Sequence, residues 1–188
     1  MPTKIGGGNK QQEYDEKNGR YGTGNLLEFK TAQDGIQYQL ITGKEPPMPV
    51  FSPKNDNEEY ARWWVDNVFV KWLEYKHYLD PRKVNGYLLV PKKVDDKSHL
   101  LNHLGYFRDK NNDELYDLIE KQAEFHKAKY SRMSPYGVKI ELIIDIPSKE
   151  TGRIYKFKAI WMVDDSKEIK FLTLIPYDER KNKNGKEN

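Results

Sequence analysis

Cysteine is missing from all 188 residues, which removes disulfides, thiolate nucleophiles and cysteine-bearing zinc sites together. Long apolar runs are missing too. Nothing approaches the ~20 residues a membrane helix needs, and residues 1–10 hold no apolar stretch of signal-peptide type. The chain is therefore expected to be soluble, with no membrane insertion. A surplus of one charge is lacking: 32 basic residues stand against 29 acidic, a net +3, with a pI near 8.7. That balance permits a local basic patch for nucleic acid but no overall polycation. Apolar residues make up only 37% and mean hydropathy is −0.93, so the aromatics, at 13%, must supply much of any core.

The remaining residues divide by composition. Residues 1–55 read as a flexible N-terminal linker, opening on Gly6-Gly7-Gly8. A short hairpin is expected within it over 26–41, turning at Asp34-Gly35. Pro46, Pro47 and Pro49 then force extended backbone and mark an internal boundary. An α+β domain is expected over 56–178, followed by a charged disordered tail over 179–188.

Within the domain, Asp56 and Glu59 predict the start of a helix running to about Lys76, with Ala61, Trp64, Val65, Val68 and Trp72 on its buried face. Tyr87-Leu88-Leu89-Val90-Pro91 reads as a short extended piece ended by its proline. Asp95-Asp96 can cap a short helix over 97–104. Asn111 and Glu114 open a longer one to about Tyr130, with His126 on its inner side.

Residues 134–176 carry three alternating runs separated by turn chemistry, the pattern of an antiparallel meander. Val138, Ile140, Leu142, Ile144 and Ile146 point one way; Tyr155, Phe157, Ala159, Trp161 and Val163 do so on the second run; Ile169, Phe171, Thr173 and Ile175 alternate on the third. The fold expected is α+β, with helices packed on one face of a small antiparallel β-meander. The opposite face, bearing Lys139, Lys156, Lys158 and Lys170, is left partly open.

The catalytic vocabulary is narrow. His99 and His103 share a helix face at metal-pair spacing, but no zincin glutamate and no third ligand accompany them, so a surface role is the plainer reading. Asp95-Asp96 and Asp164-Asp165 sit at turns, where capping accounts for them. No Gly-x-Ser-x-Gly elbow occurs, and no cofactor is expected. Lysine and tyrosine remain. Cleavage of RNA by its own 2′-hydroxyl needs a proton acceptor, a proton donor and positive charge beside the phosphate, which Lys, Tyr, Thr and Arg can supply without metal. Lys97, Tyr136, Lys139 and Thr173 lie at element ends or on the open sheet face. Each also has an ordinary reading as a surface or turn residue.

The ordered series Asp80-Pro81-Arg82-Lys83-Val84-Asn85-Gly86-Tyr87-Leu88-Leu89, Lys97 before Leu104-Gly105-Tyr106, Ser134-Pro135-Tyr136-Gly137-Val138-Lys139, Trp161, and Leu172-Thr173-Leu174-Ile175-Pro176 resembles a small bacterial domain family of uncharacterised function. Such domains are found at the C-termini of polymorphic toxins and in phage head-associated proteins. Their layout is similar to the barnase, EndoU, colicin and RelE-like ribonucleases. The resemblance implies a nuclease-like toxin or phage accessory domain that cleaves RNA without metal in the cytoplasm, delivered there from another cell or a phage particle. Lys97, Tyr136, Lys139 and Thr173 are then its catalytic candidates, and Trp161 is structural. The alternative is a non-catalytic protein-binding module, whose partner would be a cognate immunity protein or another phage or bacterial protein.

Overall fold

Alternation of period two over residues 137–176 does fold into a sheet, and two further strands join it. The computed structural model describes residues 29–50, 56–71 and 75–178. It also describes the backbone of three two-residue strands, β1 (Tyr14–Asp15), β2 (Arg20–Tyr21) and β3 (Leu27–Glu28), paired antiparallel. Of the linker expected over 1–55, residues 1–13, 16–19, 22–26 and 51–55 lie outside the described residues, as does the tail expected over 179–188.

The main sheet has five strands in the order β4-β8-β7-β6-β5. β5 (Lys129–Ser134), β6 (Gly137–Pro147), β7 (Ile154–Val163) and β8 (Glu168–Pro176) run antiparallel as successive neighbours. β4 (Lys76–Tyr78) lies parallel on the outer edge of β8. The protein is thus α+β, with a mixed and mostly antiparallel sheet. The expected β-meander forms, enlarged by β5 within the meander and by β4 at the edge. Register places Val138 opposite Val163, Ile140 opposite Trp161, Leu142 opposite Ala159 and Ile144 opposite Phe157. All eight are buried, so a single apolar face meets the helical layer.

The third alternating run departs from its expected facing. Trp161 pairs with Phe171 and Ile160 with Thr173, so the register slips by one residue at Leu172. This β-bulge puts Ile169, Phe171 and Leu174 on the buried side, while Thr173 pairs with Ile160 on the opposite face. A bulge is not visible in an alternation count, because the count assumes that no residue is skipped.

The helical layer also differs from the expected boundaries. In place of a hairpin over 26–41 stands a helix, α1 (Ala32–Thr42), opened by a capping box. The Asp34 N–H donates to Thr31 Oγ1 at 3.4 Å, and the Thr31 N–H donates to the Asp34 carboxylate at 2.8 Å. Gly43, at φ 67, closes it. α2 (Glu58–Asn67) stops well short of Lys76. The apolar run Val68-Phe69-Val70 interrupts the amphipathic pattern; Phe69–Lys71 forms a 3₁₀ turn, and β4 follows.

Residues 87–89 are not extended but end a helical turn. Asp80 and Pro81 start a new helix as N-cap and first residue, with Asp80 accepting from the Arg82 N–H at 2.9 Å. That helix, α3 (Pro81–Lys83), widens into a π-helical turn over Val84–Leu88 that buries both Val84 and Leu88. α4 (Ser98–His103) stands where a short helix was expected. α5 (Asn112–Lys121) ends nine residues before Tyr130, because Lys129–Ser134 is taken up as β5; His126 lies exposed in a 3₁₀ turn.

One core joins these elements. Tyr60, Ala61, Trp64 and Val65 of α2 are fully buried at helical spacing. Phe29 and Tyr38 extend the same cluster ahead of Asp56, with the Phe29 ring 5.6 Å from Tyr38 and 4.9 Å from Tyr60. The proline segment lies against α2 and satisfies its aromatic polar tips. Trp64 Nε1 donates to the Pro46 carbonyl at 3.2 Å, and the Tyr60 hydroxyl donates to that of Pro47.

Candidate nucleic-acid interface

The face of the sheet turned away from the core is built by the alternate positions of the same strands, so its side-chain rows follow from register. One row crosses all five strands: Arg132 of β5 opposite Lys139 of β6, Lys139 opposite Met162 of β7, Met162 opposite Lys170 of β8, and Lys170 beside Tyr78 of β4. The next row holds Glu141, Ile160 and Thr173, and the one after it Ile143, Lys158 and Ile175. Exposed isoleucines gather toward the far end, with Ile143, Ile154 and Ile175 between 39% and 52% exposed.

Charge is unevenly satisfied on this face. Lys158 reaches Glu141 at 3.7 Å, Lys156 reaches Asp145 at 2.8 Å, and Lys170 lies 3.2 Å from Asp164 and 3.6 Å from Glu168. Arg132 and Lys139, directly opposed, have no carboxylate within ion-pair distance among the described residues. Burial first, and the neighbouring Arg132 second, hold the Lys139 ammonium below the ordinary lysine range.

Of the four residues expected to form a site, the structure puts two on this face and a third in the turn that leads into it. Lys139 and Thr173 both lie on it, two strands apart and in adjacent rows, an offset of roughly 12 Å between Cα positions from strand spacing and rise. Tyr136 is at the β5–β6 turn, 79% exposed, its N–H donating to Ser134 Oγ at 3.1 Å. Gly137 beside it is required by close approach, since a Cβ there would collide with the Val163 carbonyl. Thr173 Oγ1 sits 3.3 Å from the Tyr87 hydroxyl, and the Tyr87 ring lies 3.9 Å from Lys92 Nζ, a packed arrangement at the sheet edge.

Lys97 is separate. It precedes α4, its side chain is 17% exposed, and it pairs with Asp95 at 2.7 Å. Asp96 beside it accepts from the Ser98 N–H at 2.8 Å and hydroxyl at 2.6 Å, which anchors the helix start. No described hydrogen bond or ion pair links Lys97 to Tyr136, Lys139 or Thr173.

Arg132 escapes the sequence pattern because it falls between the helix expected to about Tyr130 and the meander expected from residue 134. A β-bulge between Tyr130 and Arg132 breaks the period of two on this strand, so alternation gives no signal there. A second missed pair is His77 and Glu120, joined through Nε2 and Oε1 on the inner side of β4. The His77 ring lies 6.0 Å from that of Trp161. Glu120 Oε2 and Trp161 Nε1 are buried there without hydrogen-bond partners among the described residues. Trp161 itself is fully buried between Phe125 and Phe171, consistent with a packing role. Among the described residues no group of three or more His, Asp or Glu side chains is placed to hold a metal ion, and no helix is long and apolar enough to cross a membrane. No protein-family model, curated protein sequence or solved structure matches the chain.

Proposed function

We propose that this domain binds RNA at the β5–β6 end of the sheet face turned away from the core, with Arg132 and Lys139 holding a phosphate between them. The observation that carries the reading is the Arg132–Lys139 pair. Like charges directly opposed across two strands cost stability, and no carboxylate among the described residues offsets them. An anion bridging both would turn that repulsion into two charge-assisted contacts, with the arginine fork suited to phosphate oxygens. Tyr136, at 79% exposure beside them, offers a ring for a base or ribose to rest on.

Metal-independent cleavage is the stronger form of the same reading, favoured by the lowered Lys139 ammonium. In its neutral form Lys139 takes the 2′-hydroxyl proton as the 2′-oxygen bonds to phosphorus; the P–O5′ bond breaks, the leaving 5′-oxygen takes a proton from the Tyr136 hydroxyl or from water, and Arg132 faces the developing phosphorane charge. Thr173 is two strands away and already placed against Tyr87, and Lys97 is paired with Asp95. The site therefore reduces to Arg132, Lys139 and Tyr136.

Labelled RNA titrated with the protein in EDTA, followed by anisotropy and then by gel, tests both forms. Binding that falls at least tenfold in the Arg132→Ala/Lys139→Ala double variant supports the site, and fragments that vanish in Lys139→Ala support cleavage. Undiminished RNA binding by a folded double variant overturns the assignment. An absence of RNA binding, with an immunity or phage protein captured on the same residues, would replace it by a protein-binding module.

A further inference from the structure

Resting on that reading, we infer that the RNA is single-stranded and lies across the strands, along the row Arg132, Lys139, Met162, Lys170 and Tyr78. The five positions are consecutive register partners from one edge of the sheet to the other, spanning about 19 Å at ~4.8 Å per strand. Their chemistry is graded along that line. Two cations without carboxylate partners stand at the β5 edge; a thioether follows; Lys170 is already neutralised by Asp164 and Glu168; and at the β4 edge Tyr78 is 52% exposed.

A duplex presents phosphates and hides its base faces, so it could use only the first two positions. A single strand offers both. Its phosphate meets Arg132 and Lys139, and unstacked bases lie over Met162 and the Tyr78 ring, as bases lie on other open sheet faces that bind RNA. The charge count points the same way. Along this row only two cations, Arg132 and Lys139, stand without an ion pair among the described residues, few for a duplex footprint, whereas apolar base contacts need no further charge.

The experiment compares labelled single-stranded 12-mers with a duplex of the same sequence, and uses heparin as a probe of charge alone. Single strands should bind at least tenfold tighter than duplex, with log K falling against log salt at a slope of about −1.4 for two phosphate contacts. Tyr78→Ala should weaken single-strand binding by about tenfold or more, a stacking loss, while leaving heparin binding unchanged; Tyr78→Phe should retain the affinity. Melting curves confirm that each variant is folded. Equal or tighter duplex binding, or a silent Tyr78→Ala, overturns the single-strand assignment and leaves the Arg132–Lys139 site standing if the double variant still loses binding. An unaffected double variant removes the anion site itself.

Discussion

The Gln122 carboxamide forms two hydrogen bonds with the backbone of Asp145, donating to its carbonyl at 2.8 Å and accepting from its N–H at 2.8 Å. β5 covers β6 only as far as Glu141, opposite Lys129. Gln122 therefore stands in for the strand residue that is absent farther along that edge, and in doing so fixes the end of α5. Gln122→Met removes these two hydrogen bonds and the 3.0 Å bond that Nε2 donates to the Leu118 carbonyl, and should cost about 1–3 kcal/mol. Urea unfolding gives the value; a loss within error would show that water replaces the amide fully.

Gly35 lies in the middle of α1, where alanine is ordinarily the better residue by about 1 kcal/mol. Here a Cβ would enter the Trp63 ring, so α1 and α2 approach across a surface that only glycine permits. Gly35→Ala should destabilise by about 1–3 kcal/mol, the usual cost of overpacking. Pairing it with Trp63→Leu should recover most of the loss, which a double-mutant cycle would reveal.

Lys139 has a pH signature. Its folded-state ammonium titrates below the ordinary 10.5 because of burial and Arg132. Between that lowered value and 10.5 the unfolded chain binds more protons than the folded one, so stability contributed through this group rises with pH. Lys139→Met should thus stabilise the protein by about 0.2–1 kcal/mol at pH 7 by relieving the opposed charges. The advantage should shrink as pH climbs into the lysine range, and chemical denaturation at pH 7 and pH 10 measures both ends.

Trp161 combines a large buried ring with an indole N–H that has no hydrogen-bond partner among the described residues. Truncation to alanine should cost about 3–5 kcal/mol. Trp161→Phe should cost less, about 1–2 kcal/mol, because it removes the unpartnered donor together with the lost volume. Thermal unfolding of the two variants tests the difference.

The sheet was legible where the inner face kept an unbroken period of two, as on β6 and β7. Legibility failed where packing replaced pattern. Lys76–Tyr78 carries no apolar alternation, and becomes a strand only because β8 offers it an edge. Asp34-Gly35 has turn chemistry, yet Asp34 caps a helix and Gly35 serves a close helix crossing. Tyr136 and Lys139 could be placed at the start of β6 from the sequence, but Arg132 acquires its significance only once β5 is known to lie opposite. Thr173 changed faces through a one-residue bulge, and Lys97 was already bound to its own loop.

The parallel pairing of β4 with β8 has a kinetic consequence. Lys76 meets Glu168 only after the helices and three intervening strands have been threaded between them, so this contact carries the largest loop-closure cost in the sheet. β5 to β8 can zip together through near neighbours, while the three-residue edge closes afterwards and reopens first. Tyr78 would then sit on the segment with the shortest-lived backbone protection, able to adjust its ring to an incoming base without disturbing the core behind it.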